Sequence, residues 1–297
     1  MIFRILSPIM LLMASAQFLG AAEGGEHHEL TAYPLEVFRL GPLVVTNSMI
    51  ITITVAALLI LFAQMATKKM ALVPSGLQNF AEWLVEALYD FLEGLMGAEL
   101  TKKTFWFFAS IFIFILATNW FGLIPGVGTI GKIDDHGHYI PFLRGGNADL
   151  NMTFAISLCF FVLWFVWAIQ ANGVGGFLKH IFMPTKAHWA IMIIFLAVGV
   201  IEVVSIIFRP VALTFRLYGN VFAGENLLET MLAIHPVFSF AIPIPFYFLE
   251  LLVGVIQASV FMLLTALFTG IMCTHHDDHG DHDEDHHGES AAHQESH

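Results

Sequence analysis

Five apolar stretches, each at least as long as a membrane-spanning helix needs to be, dominate this sequence and restrict the folds open to it. Roughly 20 consecutive apolar residues are needed to cross the hydrocarbon core of a bilayer as a helix. Hydrophobic residues make up 57% of the 297 residues and charged residues only 12%, whereas soluble domains carry about 25% charged residues. The chain is therefore predicted to be an all-α integral membrane protein with five membrane-embedded helical segments.

The bounds of these segments come from the apolar runs and from the polar residues that interrupt them. The predicted segments are residues 43–66, 105–124, 150–171, 190–234 and 246–272. Lysines cluster in the loops that follow the first, precede the second and follow the third segment: Lys68, Lys69, Lys102, Lys103, Lys179 and Lys186. Because cytoplasmic loops carry an excess of lysine and arginine, this pattern places the N-terminus outside and, if the last two segments form a hairpin, the C-terminal tail in the cytoplasm.

The fourth segment is too long for one perpendicular crossing. As a single helix it would extend roughly 65 Å at 1.5 Å per residue, against a hydrocarbon core about 30 Å thick. It must therefore break, tilt strongly or span twice. Pro210 is the predicted position of a kink, because proline removes a helical hydrogen bond.

Residues 75–97 have helical periodicity but are too polar to cross a bilayer. Apolar residues recur on one predicted face: Phe80, Leu84, Ala87, Leu88, Phe91 and Leu95. Acidic residues occupy the other face: Glu82, Glu86, Asp90 and Glu93. This pattern predicts an amphipathic helix that lies at the membrane surface or packs on neighbouring helices.

The two ends of the chain differ in composition from the apolar middle. Residues 1–22 resemble a secretory signal peptide, although Pro8 leaves an uncleaved amphipathic segment open, and residues 23–42 form a predicted external segment. Residues 43–273 are the polytopic membrane domain. The His- and Asp-rich residues 274–297 are predicted to be a disordered, solvated tail, with weak binding of a divalent metal as the less favoured interpretation. Cys159 and Cys273 indicate neither a disulfide framework nor a metal site.

Polar and ionisable residues inside the last two segments are hypotheses about function, because each one is costly in hydrocarbon. They are Glu202, Arg209, Arg216, Asn220, Glu225, Glu250 and Gln257. Glu202, Arg209 and Arg216 are seven residues apart, so they share one stripe of a helix. Asn220 lies four residues beyond Arg216 and joins that stripe, whereas Glu225 faces away from it.

The last segment carries a second polar face. Glu250 and Gln257 are again seven residues apart, so the two segments offer one arginine-bearing and one carboxylate-bearing face. Glu225 and Glu250 have no basic residue near them in the sequence. The two carboxylates therefore predict a wet site that protons can reach.

Internal ion pairing is the competing structural interpretation of these charges. Glu202 could neutralise Arg209, which would make that pair structural. Arg216 has no acidic residue three or four positions away in its own helix, so it needs a partner on another helix or another chain. Asp149, just before the third segment, occupies the position of a helix N-cap.

At these residues the sequence resembles subunit a of the F-type ATP synthase. The segment "PVALTFRLYGNVFAGE" matches the signature around that family's essential arginine, here Arg216. Four further segments occur in the family's order and spacing: "EVVSIIFRP", "NWFGLIPG", "NADLNMT" and "QASVFMLLT". The resemblance covers roughly residues 35–273.

The resemblance implies a fold in which the last two helices form a long tilted hairpin against a rotating ring of subunit c. It also implies a mechanism with two aqueous half-channels that reach the middle of the membrane from opposite sides without meeting. A proton enters from outside, loads a carboxylate of subunit c and leaves by the inner half-channel after the ring has turned. Arg216 lies between the half-channels and blocks a direct leak.

By position, the resemblance assigns further residues of the proton path. Asn220, Glu225, Glu250 and Gln257 belong to the outer half-channel or to the surroundings of the arginine, and Asn119 and Asp149 to its entrance. Glu202 and Ser205 belong near the inner exit. Several well-known members have a histidine where this chain has Glu250, so two carboxylates would make the relay here.

The resemblance also implies the partners of the chain. They are the subunit c ring, the subunit b stator, the rest of the F-type ATP synthase and the lipid bilayer of a bacterial inner membrane. The sequence has no glycine-rich phosphate loop with a lysine, so ATP chemistry is expected on other chains. No catalytic residue, metal ligand, cofactor, bound nucleotide or nucleic-acid partner is predicted for this one.

Two other functions compete with this one. A divalent-metal (zinc) transporter would use the 15 histidines. Such a protein should carry histidine and acidic residues together inside its spans, whereas the histidines of this sequence cluster in the tail and the loops. A membrane scaffold without transport would leave the unpaired Arg216 unexplained.

Overall fold

The computed structural model describes residues 34–41, 43–68, 70–124, 127, 131–133, 139–182, 189–233 and 243–273. Within these ranges the chain forms two short antiparallel strand pairs, a single 3-10 turn and six α-helices. The strands are β1 (Glu36–Leu40), β2 (Leu43–Thr46), β3 (Gly131–Ile133) and β4 (Tyr139–Pro141), paired β1–β2 and β3–β4. The helices are α1 (Asn47–Thr67), α2 (Leu77–Met96), α3 (Ala98–Gly122), α4 (Leu150–Phe182), α5 (Trp189–Ala233) and α6 (Pro243–Cys273).

Five of the helices are long and apolar enough to cross a membrane: α1, α3, α4, α5 and α6. The predicted class, an all-α integral membrane protein with five membrane-embedded segments, is confirmed. The proposed signal peptide and the His-rich tail lie outside the described residues.

The first span begins four residues later than predicted. Residues 43–46 pair with β1 as strand β2 instead of opening the helix. Thr46 then acts as the N-cap of α1, and its hydroxyl accepts a hydrogen bond from the Met49 amide. A capping side chain satisfies one of the amide groups that have no partner within the helix.

The second and third spans are longer than predicted. Helix α3 begins at Ala98, so its first turns include Lys102 and Lys103. Both lysines are exposed, and such long side chains can keep their charge in water, so they do not prevent the helix from starting there. Helix α4 runs to Phe182, so the loop predicted after residue 171 is helical as far as that residue. Gly173 has φ 68° and ψ 164° and kinks α4, a backbone conformation that glycine adopts without steric cost.

Helix α5 is a single helix of 45 residues that continues through Pro210. A helix of that length extends about 68 Å. The Thr214 hydroxyl donates a 2.7 Å hydrogen bond to the Pro210 carbonyl oxygen. The sequence left three alternatives for this segment: a break, a strong tilt or two crossings. The continuous helix excludes a break and two crossings, so a strong tilt remains.

Helix α2 is amphipathic as predicted, but its packed stripe is rotated from the predicted one. Leu88, Leu92 and Met96 are buried against the rest of the protein, and α2 packs against α3 and α6. Phe80 and Phe91 from the predicted apolar face are 50% and 43% exposed. The four acidic residues of the opposite face are all exposed, as expected.

An aromatic core between α3, α4, α5 and α6 sets the relative positions of these helices. Its largest fully buried side chains include Phe108, Phe160, Trp164, Leu217 and Phe261. Full burial of a leucine or phenylalanine side chain stabilises a water-exposed fold by about 1.5–3 kcal/mol, whereas between helices in lipid close van der Waals packing has the larger part. This core holds the polar faces of α5 and α6 next to each other.

Candidate functional site

The loop before α4 reaches deep into the helices and forms one wall of the site. Its 3-10 turn, Gly146–Ala148, contacts α1, α3, α4 and α5. A β-carbon on Gly146 would lie 2.6 Å from Thr52 Oγ1, and one on Gly122 would lie 3.1 Å from the Gly145 α-carbon. The loop can therefore approach this closely only because these positions have no side chain.

A small cavity lies between α3, this loop, α5 and α6. Its lining residues are Thr118, Asn119, Gly122, Leu123, Gly145, Asn220, Val221, Glu225, Glu250, Val253, Gly254 and Gln257. The cavity volume is about 20 Å³, which is room for about one water molecule. Five residues predicted for the outer half-channel thus line one cavity, although they come from α3, α5 and α6: Asn119, Asn220, Glu225, Glu250 and Gln257.

Glu225 on α5 pairs with Arg144 from the loop. The Arg144 Nε donates a 3.3 Å hydrogen bond to Glu225 Oε2, and the two side chains are only 6% and 18% exposed. No basic residue lies near Glu225 in the sequence, but the fold brings Arg144 to it from 81 residues away. Arg144 lies in the loop before α4, and it is buried there.

Glu250 on α6 is buried against the backbone of α5. A β-carbon on Gly224 would overlap the Glu250 carboxylate, so the absence of a side chain there makes room for it. Within the described ranges no lysine, arginine or histidine lies within ion-pair distance of Glu250. The two carboxylates of the cavity therefore have different surroundings: one is ion-paired and the other is not.

Amide side chains connect the helices around the cavity. Asn220 Nδ2 on α5 donates a 2.6 Å hydrogen bond to Gln257 Oε1 on α6. The buried Gln257 Nε2 has no hydrogen-bond partner in the part of the chain that the structure describes, so a water molecule in the cavity would satisfy it. Gln257 and Glu250 share one face of α6, as predicted.

Asn119 and Asp149, predicted at the entrance of the outer half-channel, lie at different places. Asn119 lines the cavity and accepts a 2.7 Å hydrogen bond from Asn147 Nδ2. Asp149 is buried outside the cavity lining. It caps α4 as predicted: its Oδ1 accepts from the Asn151 amide at 2.9 Å and its Oδ2 from the Ser48 hydroxyl at 2.7 Å.

Arg216 points away from the body of the chain. Its side chain is exposed, whereas Leu213 and Leu217 on the other side of α5 are buried. Among the described residues Arg216 has neither a hydrogen bond nor an ion pair. Of the two predicted sources of a partner, another helix or another chain, the described helices supply none.

Glu202 and Arg209 form the ion pair that was one of the two interpretations of these charges. Arg209 Nη2 lies 2.9 Å from Glu202 Oε1, and the guanidinium stacks 4.3 Å from the centre of the Phe268 ring. Ser205 is exposed one turn from Glu202. At 1.5 Å per residue, Glu202 is about 27 Å before Asn220 along α5, with Arg216 between them.

A metal site is the feature that the divalent-metal alternative requires, with the 15 histidines as its candidate ligands. The described residues contain no group of three or more His, Cys, Asp or Glu side chains that could hold a metal ion. Cys159 and Cys273 are both free thiols. The histidines of the tail lie outside the described residues.

Two residues of the site escaped prediction. Neither Arg144 nor Gly224 was among the residues predicted for the site. The pair Gly145–Gly146 directly after Arg144 was the available signal, because consecutive glycines often mark a close approach of backbone to other groups. Nothing in the sequence, however, indicated which helix the loop approaches.

The sequence of this chain is similar to those of known proteins of one family. The model of the ATP synthase A chain family matches residues 48–270. ATP synthase subunit a of Gloeobacter violaceus is 32% identical over 270 residues, which are 90% of this chain and 97% of that relative. The subunit a of Moorella thermoacetica is 30% identical over 79% of this chain and 94% of its own length. The subunit a of Solidesulfovibrio magneticus is 34% identical over 71% and 77%. These matches give no support to the metal-transport alternative.

Proposed function

The chain belongs to the ATP synthase A chain family and acts as a proton-translocating stator subunit of an F-type ATP synthase; we propose that residues 43–273 do so through two offset half-channels. These half-channels load and unload the carboxylates of a rotating ring of subunit c. The fold supports this proposal, because it presents one continuous helix, α5, whose outward face carries Arg216.

The cavity between α3, α5 and α6 is the inner end of the outer half-channel. Glu225 and Glu250 are its proton-carrying groups, since carboxylates are the ionisable side chains of its lining. With space for about one water molecule, the cavity passes a proton between side chains and a bound water. Asn220 and Gln257 join α5 to α6 by a hydrogen bond beside the path of the proton.

Arg216 separates this cavity from the other half-channel. A guanidinium cannot be deprotonated in proteins, so it is a permanent charge that attracts an ionised carboxylate of the ring. It repels a free proton that would cross from one half-channel to the other. Glu202 and Ser205, on the opposite side of Arg216 along the helix, mark the second half-channel.

The partners of the chain follow from this role. The exposed face of α5 is covered by the subunit c ring, and subunit b holds the chain as part of the stator. The chain itself is not catalytic, and ATP chemistry takes place on other subunits. We place the complex in a bacterial inner membrane, with the N-terminus outside and the tail in the cytoplasm, from the distribution of lysines.

One observation carries the proposal: an exposed arginine without a partner in the described chain lies one helical turn before a cavity that contains two carboxylates. Its test is purification of the membrane complex through a tag on this chain, followed by reconstitution into liposomes. A ring of small hairpin proteolipids should copurify, and the membrane sector should conduct protons when a potential is imposed. The chain alone should conduct none, because the half-channels do not meet. Proton flux through the chain without the proteolipids would contradict the proposal.

A further inference from the structure

We infer that Arg144 is a positioning residue of the proton path, which holds the Glu225 carboxylate in place on the wall of the cavity. This inference rests on the proposed function and adds to it a residue on a different element. Arg144 does not line the cavity itself. It acts through Glu225, whose side chain lines the cavity.

The loop lies next to both oxygens of Glu225. Arg144 Nε donates to Oε2 at 3.3 Å, and Oε1 lies only 2.9 Å from the point that a β-carbon on Gly145 would occupy. The guanidinium therefore holds the carboxylate on one side, and the missing side chain of Gly145 leaves room for it on the other.

The contact between Arg144 and Glu225 matters because both side chains are charged and largely removed from water. A buried charge that loses its counter-ion is strongly destabilising. Glu225 without Arg144 would therefore move towards water or hold its proton, and in both cases it would stop exchanging protons at the cavity. Glu250 has no ion-pair partner among the described residues, so it needs no counter-ion from this loop.

The alternative is that the pair only fastens the loop to α5. In that case Arg144 would contribute to assembly and not to transport. The two roles differ in what a substitution changes. A positioning residue lowers the flux of each assembled complex, and has no further effect on that flux once Glu225 is uncharged. A residue that only fastens the loop lowers the amount of assembled complex and leaves the flux of each complex unchanged.

The test compares the variants R144Q, E225Q and R144Q/E225Q in the complete membrane complex. Passive proton flux is measured in liposomes with equal amounts of assembled complex. R144Q should lower the flux by roughly 10- to 100-fold, since misplacing a reacting group by about an ångström can cost up to about 100-fold in rate. The double variant should have at least the flux of E225Q, and R144K, which keeps a cation, should recover part of the loss. R39Q is the matched control, because Arg39 forms an exposed ion pair with Glu36 at 2.8 Å, and it should behave as wild type.

Wild-type flux in R144Q, or a double variant whose flux falls below that of E225Q, would overturn the inference. If R144Q does not assemble, R144K is measured in its place: a flux per assembled complex between those of wild type and E225Q supports the inference, and wild-type flux overturns it. A failure of the proposed function has a different signature: the wild-type complex would conduct no protons.

Discussion

Asn220 on α5 donates a 2.6 Å hydrogen bond to Gln257 on α6, and this contact joins the two polar faces of the site. Asn220 lies one helical turn beyond Arg216, and Gln257 lies two turns beyond Glu250. The arginine-bearing face and the carboxylate-bearing face therefore meet at one amide pair.

Replacement of Arg216 by lysine or by alanine should abolish ATP-driven proton pumping. Lysine is a compact ammonium that loses its proton readily when buried, and alanine removes the charge. R216A should also raise the passive leak, because no charge then separates the half-channels. Quenching of a pH-sensitive dye in inverted vesicles, first with ATP and then with an imposed potential, measures both effects. R39A, at an exposed arginine of β1, is the control. Normal ATP-driven quenching in R216A would contradict the proposed mechanism.

Replacement of both Glu225 and Glu250 by glutamine should slow passive proton flux by roughly 100-fold, the lower part of the range for general acid–base groups. The amides keep the shape of the side chains, and the carbonyl oxygen of a glutamine at position 225 can still accept a hydrogen bond from Arg144, so the complex should assemble, and flux is compared at equal amounts of assembled complex. Flux at the wild-type rate in the double variant would show that the relay uses other groups.

The substitution G224A should lower proton flux by displacing Glu250. The added methyl group would overlap the Glu250 carboxylate, which must then leave its position. A displaced acid–base group loses on the order of tenfold or more in rate. G94A is the matched control, because Gly94 is also inside a helix and has nothing within 4 Å of the added carbon. Equal flux in both variants would show that the position of Glu250 does not matter.

Truncation after Thr274 should leave proton pumping largely intact. Residues 275–297 are rich in His and Asp and have almost no apolar side chains, so they lack the means to pack on the helices. Vesicles with equal amounts of assembled complex give the comparison. Loss of pumping with normal assembly would assign the tail a role in transport.

The membrane spans were predictable because a bilayer imposes one strong requirement on every crossing segment. The polar stripes of α5 and α6 followed from helical spacing alone, and Glu250 and Gln257 do share a face. The Glu202–Arg209 pair was one of two interpretations, since seven residues separate its members and long side chains can bridge two turns.

Contacts between distant elements were not predictable in the same way. Arg144 reaches Glu225 across 81 residues, and no periodicity links a loop to a helix. The extension of α4 beyond residue 171 was missed because glycines predict a loop, yet only Gly173 departs from helical geometry. The packed stripe of α2 was misplaced because several of its apolar side chains are exposed, as lipid or another chain permits.

The continuity of α5 through Pro210 has a consequence for the energy of a steeply inclined helix. Every helix leaves four amide groups and four carbonyl groups without intrahelical partners at its ends, and each such group is costly in hydrocarbon. A break in the middle of the membrane would place two new sets of them there. Because α5 ends only at Trp189 and Ala233, both sets lie at the far ends of the helix, and Pro210 leaves only a single carbonyl without its usual amide. The helix can therefore lie across the lipid at a low angle with almost all of its backbone hydrogen bonds made.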